Sequence, residues 1–514
     1  MQGVKNTLIS LYLEPYTLYL QKTKIKPMST EATNTHVDVI IIGAGLSGIG
    51  AAHHLQEKCP DRTYMILEGR ANMGGTWDLF KYPGIRSDSD MHTLGYDFRP
   101  WKDKKAIADG PAILKYVKET AREGGIDKHI KYNHRVNSAD FSTEKSQWAI
   151  TAFNSETNQN VTYTCNFIFA CGGYYSYKSG YMPDFDGTDE YSGQLVHPQK
   201  WPEGLDYTDK KVVVIGSGAT AMTLVPEMAK KAEKVTMLQR SPTYIITKPS
   251  KDVIANVLNA ILPAKISYFL VRWKNILMGI FFYWLCQRFP DTMRNFFVKG
   301  VKNELGEDFD VEKHFKPSYN PWNQRVCLVP DSDLFQSLKA GTSDVVTDHI
   351  DKFVDKGILL KSGETLEADV VVSATGLQLE IMSNIDLSID GKLVHAPDLL
   401  CYRGMMFSDL PNLAMFVGYT NASWTLKTDL TATYACRLLN HMKKTGTTQC
   451  IPRIDDPTME REPIIDFSSG YVLRALDKLP KQGSKSPWKL YQNYIYDVFN
   501  FRYSSLKDKS LEFK

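Results

Sequence analysis

Two glycine-rich turns, each directly after a run of apolar β-branched residues, constrain the fold of this chain most. The first is Gly43-Ala44-Gly45-Leu46-Ser47-Gly48, after Val37 to Ile42, and the second is Gly216-Ser217-Gly218-Ala219-Thr220-Ala221, after Lys211 to Ile215. In a Gly-x-Gly-x-x-Gly/Ala sequence the first glycine makes the turn, the second lets a pyrophosphate touch the backbone, and the third position packs a helix on a strand. The N-terminus of that helix then faces the phosphates. One such turn binds one dinucleotide, so the sequence predicts two.

The residues that close the two strand–helix–strand units distinguish the two dinucleotides. Glu68 closes the first unit, and Arg240 with Ser241 closes the second. A carboxylate accepts hydrogen bonds from a ribose diol and repels a 2′-phosphate, whereas a planar guanidinium binds a phosphate through two parallel hydrogen bonds. We therefore expect FAD at the first turn and NADPH at the second.

Size and composition place the chain among globular proteins of two or three domains. It has 514 residues, of which 43% are hydrophobic and 23% charged. A net charge of +3 does not favour a nucleic-acid partner. The eight cysteines form no Cys-x-x-Cys pair, which argues against a disulfide framework or a zinc site and fits the reducing cytoplasm. No metal site is predicted.

The order of the elements predicts an α/β protein with two Rossmann-like dinucleotide-binding domains and an α-helical insert. Residues 1–36 are expected to be a disordered extension, with Met1 and Met28 as alternative starts. The other expected segments are an FAD-binding domain at 37–176 and 377–514, an NADPH-binding domain at 177–248 and 322–376, and a helical insert at 249–321. The helix of the second unit is predicted over 221–231, and residues 418–424 are predicted to form a loop.

The insert contains a short apolar run from Ile276 to Cys286. The run is too short for a bilayer, which needs about 20 residues, and it is apolar on all sides. One interpretation buries it in a domain core or interface. The other makes it a surface helix that dips into lipid, or that lines an access route for an apolar substrate. The flanking basic residues fit both interpretations, and they are Arg272, Lys274, Arg288 and Arg294.

Two stretches after Glu68 are candidates for cofactor contact. The stretch Gly74-Gly75-Thr76-Trp77-Asp78-Leu79 combines glycines with side chains that suit a flavin, although it also fits an exposed turn with one buried tryptophan. The stretch Tyr82 to Asp88 is the second candidate, although Arg86 and Asp88 there also fit a surface ion pair. The predicted flavin contacts are Thr76, Trp77, Asp78, Leu79, Asp88 and Val136, and the predicted NADP contacts include Arg86, Ser87 and Asp88.

The stretch from Tyr191 to Pro202, just before the second turn, resembles the F-x-G-x-x-x-H-x-x-x-W-P fingerprint of Baeyer–Villiger monooxygenases. Tyr191 replaces the phenylalanine, and Trp201-Pro202 distinguishes the chain from N-oxidising flavin monooxygenases. His197 by itself is expected to be structural and to couple domain movement to cofactor binding. The resemblance extends from Val37 to the C-terminus. Within the group, the chain resembles the ethionamide-activating monooxygenase and the AlmA-type flavin monooxygenases assigned to long-chain alkane degradation.

The resemblance implies an essential arginine and a carboxylate partner, at Arg325 and Asp88 in this sequence. In that family a C4a-peroxyflavin attacks a ketone carbonyl, and an ester results. A permanently charged guanidinium at Arg325 suits an anionic oxygen adduct, and Asp88 is expected to hold it in place.

The expected activity is the NADPH- and O₂-dependent oxidation of a long-chain aliphatic ketone to an ester, within long-chain alkane degradation. Direct hydroxylation of an alkane and oxidation of sulfur or nitrogen remain alternatives. An NADPH-dependent flavin electron-transfer reductase is an alternative of another class. A cytoplasmic location, with peripheral membrane contact through residues 276–286, is expected, and the sequence predicts no particular oligomeric state.

Overall fold

Two β-sheets with parallel strands at their centres organise the fold. The larger one is built around the strand that precedes the first glycine turn. The structure, a computed structural model, describes residues 31–456 and 458–514. The strand Glu31–Ile42 pairs in parallel with both Tyr64–Leu67 and Gln159–Ala170. Within the described residues the sheet has nine strands, of which the others are Ile130–Lys131, His134–Ser142, Gln147–Asn154, Asp386–Ile389, Lys392–Leu393 and Leu413–Met415.

This central strand begins earlier than the sequence predicts. Residues 31–36 belong to it, because the long strand Gln159–Ala170 offers backbone partners that reach back to Val161. The expectation of disorder over 1–36 is therefore wrong for 31–36, and residues 1–30 lie outside the described part. Val39, Ile40 and Ile41 are fully buried, as apolar β-branched residues are when helices and loops cover both faces of a parallel sheet.

The second sheet forms around the strand that leads into the second glycine turn. Its five strands run in the order Ser343–Thr347, Lys234–Gln239, Lys211–Ile215, Val370–Ser373 and Gln194–Val196, all parallel. Two small sheets lie beside it, formed by Ile245–Lys248 with Cys327–Pro330, and by Ile350–Val354, Gly357–Leu360 and Thr365–Glu367. The helix after the turn is Ala219–Met228 rather than 221–231, because Gly218 serves as its N-cap.

Four helices form the predicted insert: Val253–Ile261, Ala264–Arg288, Pro290–Leu305 and Val311–Phe315. The apolar run is the second half of a 25-residue helix, and only its ends, Ile276 and Cys286, are buried. One side of the run therefore packs against protein, as the interface interpretation expects, and the other side is exposed. Among the described residues this is the one helix long and apolar enough to cross a membrane by length and composition. The exposed members of the run are Leu277, Met278, Phe281 and Trp284, at 49–60% of their full exposure.

Arg272 anchors this helix to the segment around the short helix Met91–Leu94. Its guanidinium is buried, donates hydrogen bonds of 2.8 Å to the carbonyls of His92 and Gly95, and lies 3.8 Å from Asp429. A buried charge needs partners of this kind, since it loses its hydration. Lys274 is likewise not free, because it pairs with Asp252 at 2.6 Å. The helix is fixed along one side while its apolar side faces outward.

The C-terminal part completes the first domain. The helix Trp424–Thr445 packs on the helix Leu46–Lys58, so Trp424 begins a helix rather than ending a loop as predicted. The remaining α-helices are Thr76–Leu79, Met91–Leu94, Gly110–Glu123, Asp333–Lys339, Gly470–Leu473 and Tyr494–Arg502. The remaining strands are Cys401–Tyr402, Met406–Phe407, Cys450–Pro452, Arg461–Pro463, Lys481–Gly483 and Leu511–Phe513. The domain boundaries themselves stay a prediction.

Candidate active site

Both glycine turns line one cavity of about 1440 Å³. Each turn follows the carboxyl end of a central parallel strand, which is where α/β folds bind their ligands. The predicted residues that line the cavity are Gly43, Gly45, Ser47, Glu68, Thr76, Trp77, Arg86, Ser87, Asp88, Val136, Gly216, Ser217, Gly218, Ala219, Thr220, Arg240, Ser241 and Arg325. The fold therefore brings two distant segments of the chain to one space.

Close backbone packing shapes the first turn. Gly43 has a φ of +101°, and a Cβ there would lie 2.7 Å from the carbonyl oxygen of Cys171. The carboxylate of Glu68 accepts hydrogen bonds from the backbone N–H groups of Ala44, at 2.8 Å, and Arg70, at 3.0 Å. Burial raises the pKa of Glu68, and these two N–H groups oppose the rise. The turn thus presents bare backbone next to one fixed acidic group.

The second turn resembles the first at its first glycine but leaves more space at its second glycine. Gly216 has a φ of +133°, and a Cβ there would lie 2.5 Å from the carbonyl oxygen of Ala374. At Gly218, in contrast, a Cβ would meet nothing within 4 Å. The hydroxyl of Ser217 donates a 2.9 Å hydrogen bond to the carbonyl of Ser241, which ties the turn to the end of the next strand beside Arg240. The space next to Gly218 is open to a ligand.

Four residues predicted to contact cofactors do not line this cavity: Gly48, Asp78, Leu79 and Ala221. Gly48 packs the helix on the turn, since a Cβ there would lie 1.9 Å from the carbonyl oxygen of Gly43. Asp78 is buried and pairs with Arg70 at 2.7 Å, because the short helix Thr76–Leu79 turns that side chain away from the cavity. Direct contact between a cofactor and these four residues stays a prediction.

Arg325 and Asp88 meet in the cavity wall. Arg325 Nη2 lies 2.8 Å from Asp88 Oδ2, although the two residues are far apart in sequence. The charge of Asp88 is the main cause that raises the pKa of Arg325, so the guanidinium stays charged. The alternative of an Arg86–Asp88 surface pair is wrong, because Arg86 pairs with Asp333 instead. Asp88 is therefore available to form its ion pair with Arg325.

An aromatic wall of the cavity was not anticipated from the sequence. Tyr174 stacks on Trp424 at 5.0 Å between ring centroids, and Trp424 Nε1 donates a 2.8 Å hydrogen bond to Ser47. The hydroxyls of Thr76 and Tyr175 are hydrogen-bonded at 2.5 Å. Burial raises the pKa of Tyr174 to about 12, so its hydroxyl stays protonated. The available signal was the Gly172-Gly173 pair after a buried strand, followed directly by tyrosines.

The fingerprint around His197 is a structural element of the second sheet. The strand Gln194–Val196 is an edge strand, and Tyr191 donates a 2.9 Å hydrogen bond to the carbonyl of Ala368. His197 Nδ1 accepts the backbone N–H of Gln199 at 3.1 Å, and burial lowers the pKa of His197. This agrees with the expectation of a structural histidine. Its coupling to domain movement stays a prediction.

Comparison with known proteins defines the class. Residues 37–462 match the family model described as FMO-like, flavin-binding monooxygenase-like. The chain is 51% identical to the FAD-containing monooxygenase EthA of Mycobacterium tuberculosis (strain ATCC 25618 / H37Rv) over 479 residues, which are 93% of this chain and 98% of that protein. It is 49% identical to the probable FAD-binding monooxygenase AlmA of Acinetobacter sp, over 93% of this chain and 96% of that protein.

Solved structures agree in fold. An oxidised steroid monooxygenase bound to NADP superposes with a TM-score of 0.73 at 20% identity, over 93% of this chain and 99% of that one. Cyclohexanone monooxygenase from Rhodococcus sp. Phi1, bound to NADP⁺, gives 0.71 at 18% identity, over 94% and 100%. The chain belongs to the flavin-binding monooxygenase-like family and is an enzyme of that class. The resemblance and the α/β fold class expected from the sequence are confirmed.

The open space at Gly218 yields a first prediction. We expect Gly218→Ala to leave the melting temperature unchanged, since the added methyl group meets no protein atom, and to raise the dissociation constant for NADPH at least about tenfold, which is about 1.4 kcal/mol. The measurement is anaerobic stopped-flow absorbance, in which the dependence of the flavin-reduction rate on NADPH concentration gives the dissociation constant. Gly279→Ala is the matched control, because its Cβ also meets nothing within 4 Å but points away from the cavity on a helix of the insert. Equal NADPH affinities in the two variants would contradict the assignment of the second turn.

Proposed function

We propose that this enzyme uses FAD, NADPH and O₂ to oxidise a long-chain aliphatic ketone to an ester. The Arg325–Asp88 pair carries this proposal, because it stands in the wall of the cavity that receives both glycine turns. The balance of the reaction is ketone plus O₂, NADPH and H⁺ giving ester, NADP⁺ and water. One oxygen atom of O₂ enters the ester and the other leaves as water.

The cavity fits the two cofactors at separate ends. For FAD, the bare backbone at Gly43 and Gly45 suits a pyrophosphate, and Glu68 suits a ribose diol. For NADPH, the space at Gly218 suits a pyrophosphate at the N-terminus of Ala219–Met228, and Arg240 suits a 2′-phosphate. The relatives named FAD-containing and FAD-binding monooxygenases support the first assignment.

The residues of the chain supply position and charge for this chemistry. FAD, when bound, supplies hydride acceptance from NADPH and the activation of O₂. Arg325 presents a permanent positive charge that stabilises negative charge on the attacking oxygen and on the carbonyl oxygen of the substrate. Asp88 keeps that guanidinium charged and oriented toward the cavity. The aromatic wall at Tyr174 and Trp424 keeps water away from the reacting atoms.

A carbonyl substrate matches this arrangement better than an alkane. A nucleophilic oxygen attacks the carbon of a C=O group, and Arg325 then stabilises the oxyanion that forms. An unactivated C–H bond offers no such electrophilic carbon and develops no oxyanion. Oxidation of a soft sulfur or nitrogen needs no oxyanion either, and it is the second candidate. An electron-transfer reductase forms no oxyanion, so that function gives no role to the charge of Arg325.

Arg325 therefore gives a second prediction. We expect Arg325→Ala and Arg325→Lys to be reduced by NADPH at close to the normal rate but to form ester at least about 100-fold more slowly, because the charge that stabilises the oxyanion is lost or displaced. Stopped-flow absorbance measures flavin reduction, and gas chromatography measures the ester. Arg453→Ala is the control, since Arg453 forms ion pairs with Asp409 and Glu512 at the surface. Full ester yield from Arg325→Ala would exclude this role.

Product analysis gives a third prediction. With NADPH and O₂, we expect the purified enzyme to convert a long-chain 2-ketone to an ester and to form no alcohol from the alkane of equal length, because only the ketone offers a carbonyl carbon. Mass spectrometry of products made under ¹⁸O₂ locates the inserted atom. An alcohol from the alkane, with no ester from the ketone, contradicts the proposal. A sulfoxide from a dialkyl sulfide, with no ester, favours the second candidate.

We also propose that this cytoplasmic enzyme contacts lipid through the outer side of its insert. Apolar side chains recur there every three or four residues along two neighbouring helices, which is the pattern of a continuous stripe. Exposed basic residues border the stripe at Lys265, Arg288 and Lys299, as in helices that lie in an anionic interface. The stripe, which we call the outer face, contains Val253, Ile254, Val257, Ile261, Ile266, Phe269, Leu270, Leu277, Met278, Phe281 and Trp284.

Flotation with vesicles gives a fourth prediction. We expect the enzyme to float with vesicles that contain anionic phospholipid, and Met278→Glu with Phe281→Glu to remain in the dense fraction, because a carboxylate at the interface opposes insertion. Leu393→Glu is the matched control, since Leu393 is 71% exposed but lies in the first sheet, away from the outer face. Equal flotation of all variants, or flotation of none, contradicts lipid contact through the outer face.

A further inference from the structure

A second cavity, of about 410 Å³, opens beside the first and has a different character. Its volume lies within the range of small-molecule sites. We call it the side chamber. The loop that follows Gly376 and the segment after the short helix Gly470–Leu473 form its wall. Most of its wall is apolar: Leu377, Leu379, Ile381, Met382, Ile385, Leu387, Val394, Ala396, Leu399, Ala475 and Leu479.

The two cavities share six lining residues, a set that we call the doorway. They are Tyr181, Leu377, Glu380, Asn384, Tyr471 and Arg474. Tyr471 also lies close enough to Arg325 to contribute to its raised pKa. The shared residues make the side chamber a direct neighbour of the cavity that Arg325 lines.

The doorway is a firmly packed structure. The guanidinium of Arg474 lies over the ring of Tyr181, 3.5 Å from its centroid. Tyr181 donates its backbone N–H to the carbonyl of Gly376 at 2.9 Å, and Gly376 has a φ of +108°, which favours glycine. The charged and amide side chains that line the side chamber are Gln378, Glu380, Asn384, Arg474 and Lys478, and the first cavity shares three of them: Glu380, Asn384 and Arg474.

We propose that the side chamber binds the alkyl chain of the substrate while its carbonyl faces Arg325. This rests on the proposed function. A chamber with a mostly apolar wall disfavours charged and strongly hydrated groups, because they find few partners there. Each methylene group that moves from water into the chamber raises the affinity roughly fourfold, which is equivalent to about 0.8 kcal/mol. The chamber therefore selects linear chains up to the length that fills it, and longer chains gain no further affinity.

Filling the chamber tests this assignment. Ala396 is half-buried in its wall, so a larger side chain there projects into the space with little disturbance of the core. The ligands are a series of 2-ketones from 2-hexanone to 2-hexadecanone. Isothermal titration calorimetry on the oxidised FAD-loaded enzyme without NADPH measures binding with no turnover. We expect affinity to rise with chain length and then level off, and Ala396→Trp to level off at a shorter chain while the affinity for 2-hexanone stays unchanged.

Two further variants make the result decisive. Ala340→Trp is the matched control, because Ala340 is an exposed residue at the C-terminal end of the helix Asp333–Lys339 and lines neither cavity. This variant should behave as the wild type. Val394→Trp fills the chamber from another side and replaces Ala396→Trp if that variant does not fold. An unchanged chain-length profile in the filled variants, or no dependence on chain length at all, overturns the assignment.

The outcomes separate the side chamber from the reaction itself. Length-dependent binding that the filled variants shorten, without ester formation after NADPH and O₂ are added, supports the side chamber and contradicts the proposed function. If ester forms and the filled variants show the same chain-length profile as the wild type, the result supports the proposed function. The same result contradicts the assignment of the side chamber as the alkyl-chain site.

Discussion

The ion pair between Arg325 and Asp88 connects the two halves of the candidate active site. It joins the segment after the first glycine turn to a segment that follows the helical insert, so it forms only when both sheets are folded and packed together. A guanidinium in a cavity wall is stable when a carboxylate offsets its lost hydration. Asp88 therefore keeps a positive charge at the place where both dinucleotide turns meet.

The sequence was sufficient where structure is local. A glycine turn between a strand and a helix depends on backbone conformation within a few residues, so both turns and the central strands were predictable. The pairing of Arg325 with Asp88 followed from a family resemblance, and no local pattern contains it. The burial of Arg272, the early start of the strand at Glu31 and the aromatic wall at Tyr174 depend on partners far along the chain. The neighbouring residues give a signal for one of these three features only, the Gly172-Gly173 pair before Tyr174, and even that signal does not identify Trp424 as the partner.

The helical insert also shows what a local pattern cannot predict. An apolar run indicates that a helix has an apolar surface, but it does not indicate whether other parts of the protein cover that surface. Here Arg272 fixes one side of the helix Ala264–Arg288 to the first domain, and the outer face is left uncovered. The side chamber is a second, mostly apolar space, and it shares lining residues with the cavity that contains Arg325. In the two proposals made for these features, the enzyme takes its substrate from an apolar phase and holds the alkyl chain away from water.

The ratio of hydrogen peroxide released to ester formed in an Asp88→Asn variant tests the central claim most directly. Asparagine preserves the shape of Asp88 but removes the charge that orients Arg325. The account predicts that NADPH oxidation continues while ester per NADPH falls and hydrogen peroxide rises in proportion. An ester yield per NADPH equal to that of the wild type would contradict it.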